Sequence, residues 1–213
     1  MMTSVESAIK EIVAVGRRLD GRGLAAATSG NYSLRVNNDR IAITVSGCHK
    51  GRLRASDVML VDTEGRSLDN RVPSAETPLH MQLYRLYPRV KAVLHVHSVT
   101  AVALTSWLPD IKHLALEGYE MLKALPGVTT HETRVEIPVF NNSQDMPALG
   151  RFITARLRGE PPPPGYLIRA HGLNVWGASV DEAERVLEAL EHLLACELEI
   201  QQLKPRGQSG GRP

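Results

Sequence analysis

An α/β fold, with a mixed, largely antiparallel sheet covered by helices on both faces, is predicted for this 213-residue sequence. Three observations predict it. Strand-like and helix-like segments are interspersed along the chain, which sets helices against a sheet. Two alternating segments flank an Asn-Asn-Asp turn, so neighbouring strands pair as an antiparallel hairpin. The glycine-rich stretches lack the spacing of a phosphate loop or dinucleotide fingerprint, so a doubly wound parallel sheet fits less well.

Each element follows from local pattern. Val5, Ala8, Ile9, Ile12, Val13 and Leu19 recur at helical spacing, and Gly21 and Gly23 stop this first helix. "TSGNYSLRVNNDRIAITVSG" is the hairpin, with small polar residues at both outer ends, and "DVMLVDTEGR" is a third strand running into a tight turn. In "SAETPLHMQLYRLYP" Ser74 is the expected N-cap of a short helix, with Thr77 and Pro78 in its first turn and Pro88 beyond its end. A strand through "KAVLHVHSVT" comes next, then helical segments through Trp107 and around "EGYEMLKAL", and a strand at "RVEIPVF". "DMPALGRFITARLRG" is a helix, prolines 161–164 form a stiff surface connection, and "GYLIRAHGLNVWG" gives two short strands around His171 and Gly172. From Val180 to about Leu203 a 3.6 period marks a long closing helix, with Asp181 and Glu182 well placed in its first turn.

Bulk properties narrow the function. The length suits one domain, 1–203, and the remainder, 204–213, reads as a disordered tail. A net charge of +2 argues against a nucleic-acid or membrane surface, and no apolar run is long enough to span a bilayer. The first residues carry acidic groups and helical periodicity rather than a signal peptide's greasy middle, and Cys48 and Cys196 lie far apart without metal-type spacing. A cytoplasmic protein with reduced thiols is expected.

The chemistry lies in the histidines. His95 and His97 are two apart in an apolar strand, so both imidazoles stand on one face, at a separation that suits zinc or a similar divalent ion. His171 ends the apolar run "YLIRAH" beside a glycine that permits close approach, and three neutral nitrogens leave a coordination position open, as catalytic zinc sites do. His49 and His113 in polar loops, His80 and His192 on helices and His131 in a Thr-rich turn are assigned surface or capping roles. Glu76 opens the helix leading into the histidine strand, and Glu120 shares an i, i+3 pair with Lys123; both are explained without chemistry, by a helix dipole and a local ion pair.

In order, "TSGNYSLR", "TVSGCHKGRL", "PSAETPLH", "VLHVHS", "EGYEMLKAL" and "RAHGLNVWG" resemble the class II aldolase/adducin family from Gly23 to the closing helix. The resemblance implies a three-layer α/β/α sandwich, a homotetramer with active sites between subunits, and one zinc ion per subunit held by His95, His97 and His171. It implies that Glu76 is a base and a possible fourth ligand, and that Glu120 is the acid/base glutamate of the family's dehydratase branch. Ser29 and Asn31, with Ser46 and Gly47, would hold a substrate phosphate, and Lys50 and Ser74 would be its neighbours. Small-residue turns present backbone N–H groups to anions and lysine adds a point charge, which agrees with that role; ordinary hairpin-end chemistry explains the same residues.

The implied substrate is a sugar phosphate, specifically a 1-phosphorylated ketose bearing a methylthio group, which would lose water. Two alternatives belong to the same family. One is a sugar-phosphate aldolase or epimerase of the fuculose- or ribulose-phosphate type, whose members use a tyrosine near the chain end; here the last tyrosine is Tyr166. The other is a non-catalytic adducin-like binding domain, in which the histidine ligands would be lost.

Overall fold

The computed structural model describes residues 3–158 and 161–204. Thirteen regular elements run α1 (Val5–Gly21), β1 (Asn31–Arg35), β2 (Ile41–Thr44), β3 (Val58–Val61), α2 (Thr77–Leu86), β4 (Ala92–Val96), α3 (Val99–Trp107), β5 (His113–Glu117), β6 (Arg134–Phe140), α4 (Met146–Leu157), β7 (Gly165–Ile168), β8 (Gly172–Gly177) and α5 (Val180–Leu203). The expected tail lies outside the described residues except for Lys204.

The strands form one sheet in the order β3-β2-β1-β4-β8-β7-β6-β5. Neighbours are antiparallel throughout, apart from the parallel pair β6 and β7. Alternation along each strand feeds two cores. Leu34, Leu94, Val96, Leu173 and Val175 pack with α1, α3 and α5; Ile41, Ile43, Val93, Ile168 and Trp176 pack with α2 and α4 on the opposite face. The result is the expected α/β/α sandwich, with β4 in its centre and buried at every position. Helix starts follow the sequence: Ser4, Ser98, Asp145 and Ser179 each accept a first-turn backbone N–H, a contribution of about 1 kcal/mol apiece.

Two local expectations are corrected. Ser74 is not the N-cap of α2; Glu76 occupies that position, without a side-chain cap hydrogen bond. Ser74 acts one turn earlier, where its carbonyl accepts from the Thr77 N–H and hydroxyl, so the Glu76 carboxylate is left free of the helix end. The region around "EGYEMLKAL" is not an α-helix. Its start belongs to β5, whose Leu114 and Leu116 are buried between outward residues, and Gly118 at φ +78° turns the chain into a short 3-10 segment, Glu120–Ala124. Residues i and i+3 eclipse in such a turn, which preserves the Glu120–Lys123 ion pair that suggested a helix.

Candidate metal centre

Three parts of the fold converge at one end of β4. His95 lies near the end of that strand and His97 one residue past it, His171 sits in the tight β7–β8 turn, and Glu76 stands at the N-terminus of α2. Helix α3 holds the two histidine segments in register. Its N-cap Ser98 directly follows His97, while the Arg169 guanidinium of the β7–β8 turn donates to the carbonyls of Thr105, Leu108 and Ile111 at 2.7–2.8 Å. The three ring centroids lie 4.5–5.0 Å apart, and one ligand atom each from Glu76, His95, His97 and His171 falls within 4.8 Å of the others.

The protonation pattern fits a cation. His95 Nδ1–H donates to the Leu173 carbonyl at 3.1 Å, which leaves Nε2 as a lone pair facing Glu76 Oε2 at 3.2 Å. His97 Nε2 and His171 Nε2 approach to 3.1 Å, and His171 Nε2 lies 3.3 Å from Glu76 Oε1. Such acceptors repel at contact distance unless a proton or metal ion lies among them. Burial, reinforced by His95 and His171, brings the His97 imidazole down to about 4, and burial lowers His95 too, so both are neutral ligands at neutral pH. Burial works against ionisation of Glu76, but positive charge shared among the imidazoles of His95 and His171 outweighs it and lowers the carboxyl. Three nitrogens and one carboxylate can hold a divalent metal ion.

Close approach of β8 to β4 is a condition of this geometry. A Cβ on Gly172 would lie 2.1 Å from the Val96 carbonyl oxygen and 3.0 Å from His95 Cε1. We expect Gly172→Ala to destabilise the chain by about 1–3 kcal/mol and to weaken metal binding at the same time. A thermal melt combined with a zinc titration checks this, and unchanged values in both would show that the strands have room to spare.

Of the residues expected to hold phosphate, Asn31 and Ser74 adjoin members of the centre. Asn31 in β1 pairs directly with His95 in β4. The buried Lys50 ammonium donates to the carbonyls of Thr28 at 2.9 Å and Cys48 at 2.7 Å, joining the loop that bears Ser29 to the loop that bears Ser46 and Gly47. Burial lowers its pKa, with the charge of Glu76 acting against that shift. Ser29 Oγ is buried without a hydrogen-bond partner among the described residues, Gly47 is exposed at φ +75°, and Ser74 lies two residues before Glu76. Glu120 stands apart: it is exposed, its ion-pair partners are Lys123 and His131, and the hydrogen-bonded Lys123 holds its carboxyl below the usual range.

His80, assigned a surface or capping role from the sequence, is completely buried. Asn31 Oδ1 only accepts, so His80 Nε2–H donates to it at 2.6 Å; Nδ1 then accepts from the Ser33 hydroxyl at 2.7 Å, and Ser33 Oγ lies 2.9 Å from the Tyr84 hydroxyl. This chain fixes the Asn31 amide so that its N–H2 group is what a ligand can use. Its signal was the i, i+4 spacing from Glu76, which puts both residues on one helix face.

Burial brings His80 down to about 3. The unfolded chain, with His near 6.5, therefore takes up a proton before the folded one does. Stability from this group is complete above about pH 6.5 and declines as pH falls toward 3, with His97 adding the same sign. Melting temperatures of metal-free protein should drop through that window, and a flat profile would contradict the assignment.

A sandwich of this topology is the fold of class II aldolases. The family model described as Class II Aldolase and Adducin N-terminal domain matches residues 10–198, and the chain belongs to that family. The methylthioribulose-1-phosphate dehydratase of Marinobacter nauticus is 48% identical over 95% of this chain and 98% of its own. That of Methylococcus capsulatus is 49% identical with the same coverages. Among solved structures, L-fuculose-1-phosphate aldolase from Thermus thermophilus superposes with a TM-score of 0.74 at 26% identity, covering 95% of this chain and 98% of that one. A sugar-phosphate aldolase from Thermotoga maritima, 22% identical with a TM-score of 0.70 over 96% of this chain and 99% of its own, shows the same fold.

Proposed function

We propose that the chain dehydrates 5-methylthioribulose 1-phosphate to 2,3-diketo-5-methylthiopentyl 1-phosphate, as a zinc-dependent hydro-lyase of methionine salvage. The observation that carries this reading is an intact His95–His97–His171–Glu76 cluster in a chain that matches dehydratases of that name along nearly its whole length. His95, His97 and His171 hold the ion, and Glu76 lies close enough to be a fourth ligand. When bound, zinc supplies a Lewis acid that polarises the ketose C2 carbonyl.

The protein's own residues do the rest. Asn31, Ser29, Ser46 and Gly47, braced by Lys50 and bordered by Ser74, anchor the phosphate through N–H and O–H donors. Glu76, ionised and next to the ligands, removes the C3 proton. Glu120 donates a proton to the departing C4 hydroxyl, so that water leaves and the remaining enol rearranges to the diketone. Because Glu120 is exposed, and among the described residues pairs with Lys123 and His131 rather than with the metal cluster, it serves the site of a neighbouring subunit in a homotetramer.

A cytoplasmic location agrees with this chemistry; among the described residues no helix is long and apolar enough to cross a membrane, and both cysteines are free. The deciding experiment supplies 5-methylthioribulose 1-phosphate to zinc-loaded protein. A diketone chromophore without fragmentation is expected, whereas release of a two- or three-carbon aldehyde fragment would establish the aldolase reading instead.

A further inference from the structure

Beside the metal centre the sheet carries two polar side chains that packing does not require. Asn174 in β8 lies directly opposite His95 in β4 on one side and Tyr166 in β7 on the other. Directly paired residues project to the same face, so the three side chains form a row across the sheet. Tyr166 and Asn174 are both completely buried. Among the described residues the Asn174 amide nitrogen, the Asn174 amide oxygen and the Tyr166 hydroxyl have no hydrogen-bond partner, and neither does Glu76 Oε2.

Each such group costs about 1–3 kcal/mol if it stays unpaired, and Leu and Phe would occupy the same space without that cost. The ring of Tyr166 is already packed, edge-on to Phe140 at 5.5 Å and tilted against Trp176 at 6.1 Å, so its hydroxyl adds nothing to the core. Next to this row, Glu76 Oε2 lies 3.2 Å from His95 Nε2, and burial, with the charge of Glu76, raises the Tyr166 phenol far above its ordinary range. An amide and a phenol each both donate and accept, while a carboxylate only accepts. A water molecule enclosed among them satisfies all three, through a lone pair of Glu76 Oε2 not directed at His95.

We propose that Asn174 and Tyr166 are positioning residues which, through an enclosed water molecule, bridge to Glu76 Oε2 and fix the rotation of that carboxylate toward His95 and His171. The inference rests on the metal reading above. Groups that orient a metal site in this way typically change affinity 10–100-fold when removed.

The test is zinc affinity, measured by competition with a chromophoric chelator, in the parent chain and in Asn174→Leu, Tyr166→Phe and the double variant. A filler role predicts unchanged affinity in all three. The bridge predicts a loss of roughly 10–100-fold in each single variant. Since both residues act through one bridge, the double variant should bind no more weakly than the weaker single one. Affinities within twofold of the parent's overturn the inference alone, and if one single variant fails to fold the other decides. A parent chain that takes up no zinc overturns the metal reading and this inference together.

Discussion

Replacing His97 by alanine should abolish stoichiometric zinc binding and lower turnover of 5-methylthioribulose 1-phosphate by about a thousandfold or more. Removing one of three imidazoles leaves an incomplete donor set and deprives the reaction of several kcal/mol of charge stabilisation, at about 1.36 kcal/mol per tenfold. The fold itself should survive. His97 is only partly buried and lies beyond the end of β4, and its loss removes the 3.1 Å contact between two ring nitrogens. The metal-free melting temperature should therefore match the parent's, while the rise on adding zinc disappears. With the metal at about 100 times its dissociation constant that rise amounts to about 2.7 kcal/mol, or roughly 5–10 °C for a chain of this size. A variant that keeps its zinc, or that melts early without it, would contradict this account.

Glu120→Gln separates chemistry from metal binding. Glutamine retains the shape and hydrogen-bonding reach of the side chain but cannot deliver a proton, and Glu120 touches none of the four clustered residues within its own chain. Zinc content should stay at the parent's value while kcat falls by about 10²–10⁴. Retained turnover would reject the acid role of Glu120. Lost zinc would show that the residue belongs to the ligand set.

Much of the centre was legible in the sequence because it depends on local rules. A two-residue repeat in a strand sets His95 beside His97 whatever the rest of the chain does. His171 was recognisable at the end of an apolar run before Gly172, where the structure shows a glycine wedged against β4. The boundaries of the closing helix could be read from its 3.6 period and its first-turn acids. What escaped depends on pairings between distant segments. His80 looked like any histidine on a helix, because its burial comes from Asn31 and Ser33 on β1, 47 to 49 residues away. Asn174 lay inside an apolar strand, and only the β4–β8–β7 register puts it between His95 and Tyr166. The parallel contact of β6 with β7 and the five-residue β5 were equally hidden, since neither contains a turn signal that announces its partner.

The most direct measurement is turnover of 5-methylthioribulose 1-phosphate as metal-free protein is titrated with zinc. Activity is predicted to rise linearly and to break at one zinc per chain, with the diketone phosphate as the only product. Full activity in the metal-free protein, or a break at some other stoichiometry, would contradict a single ion held by His95, His97 and His171.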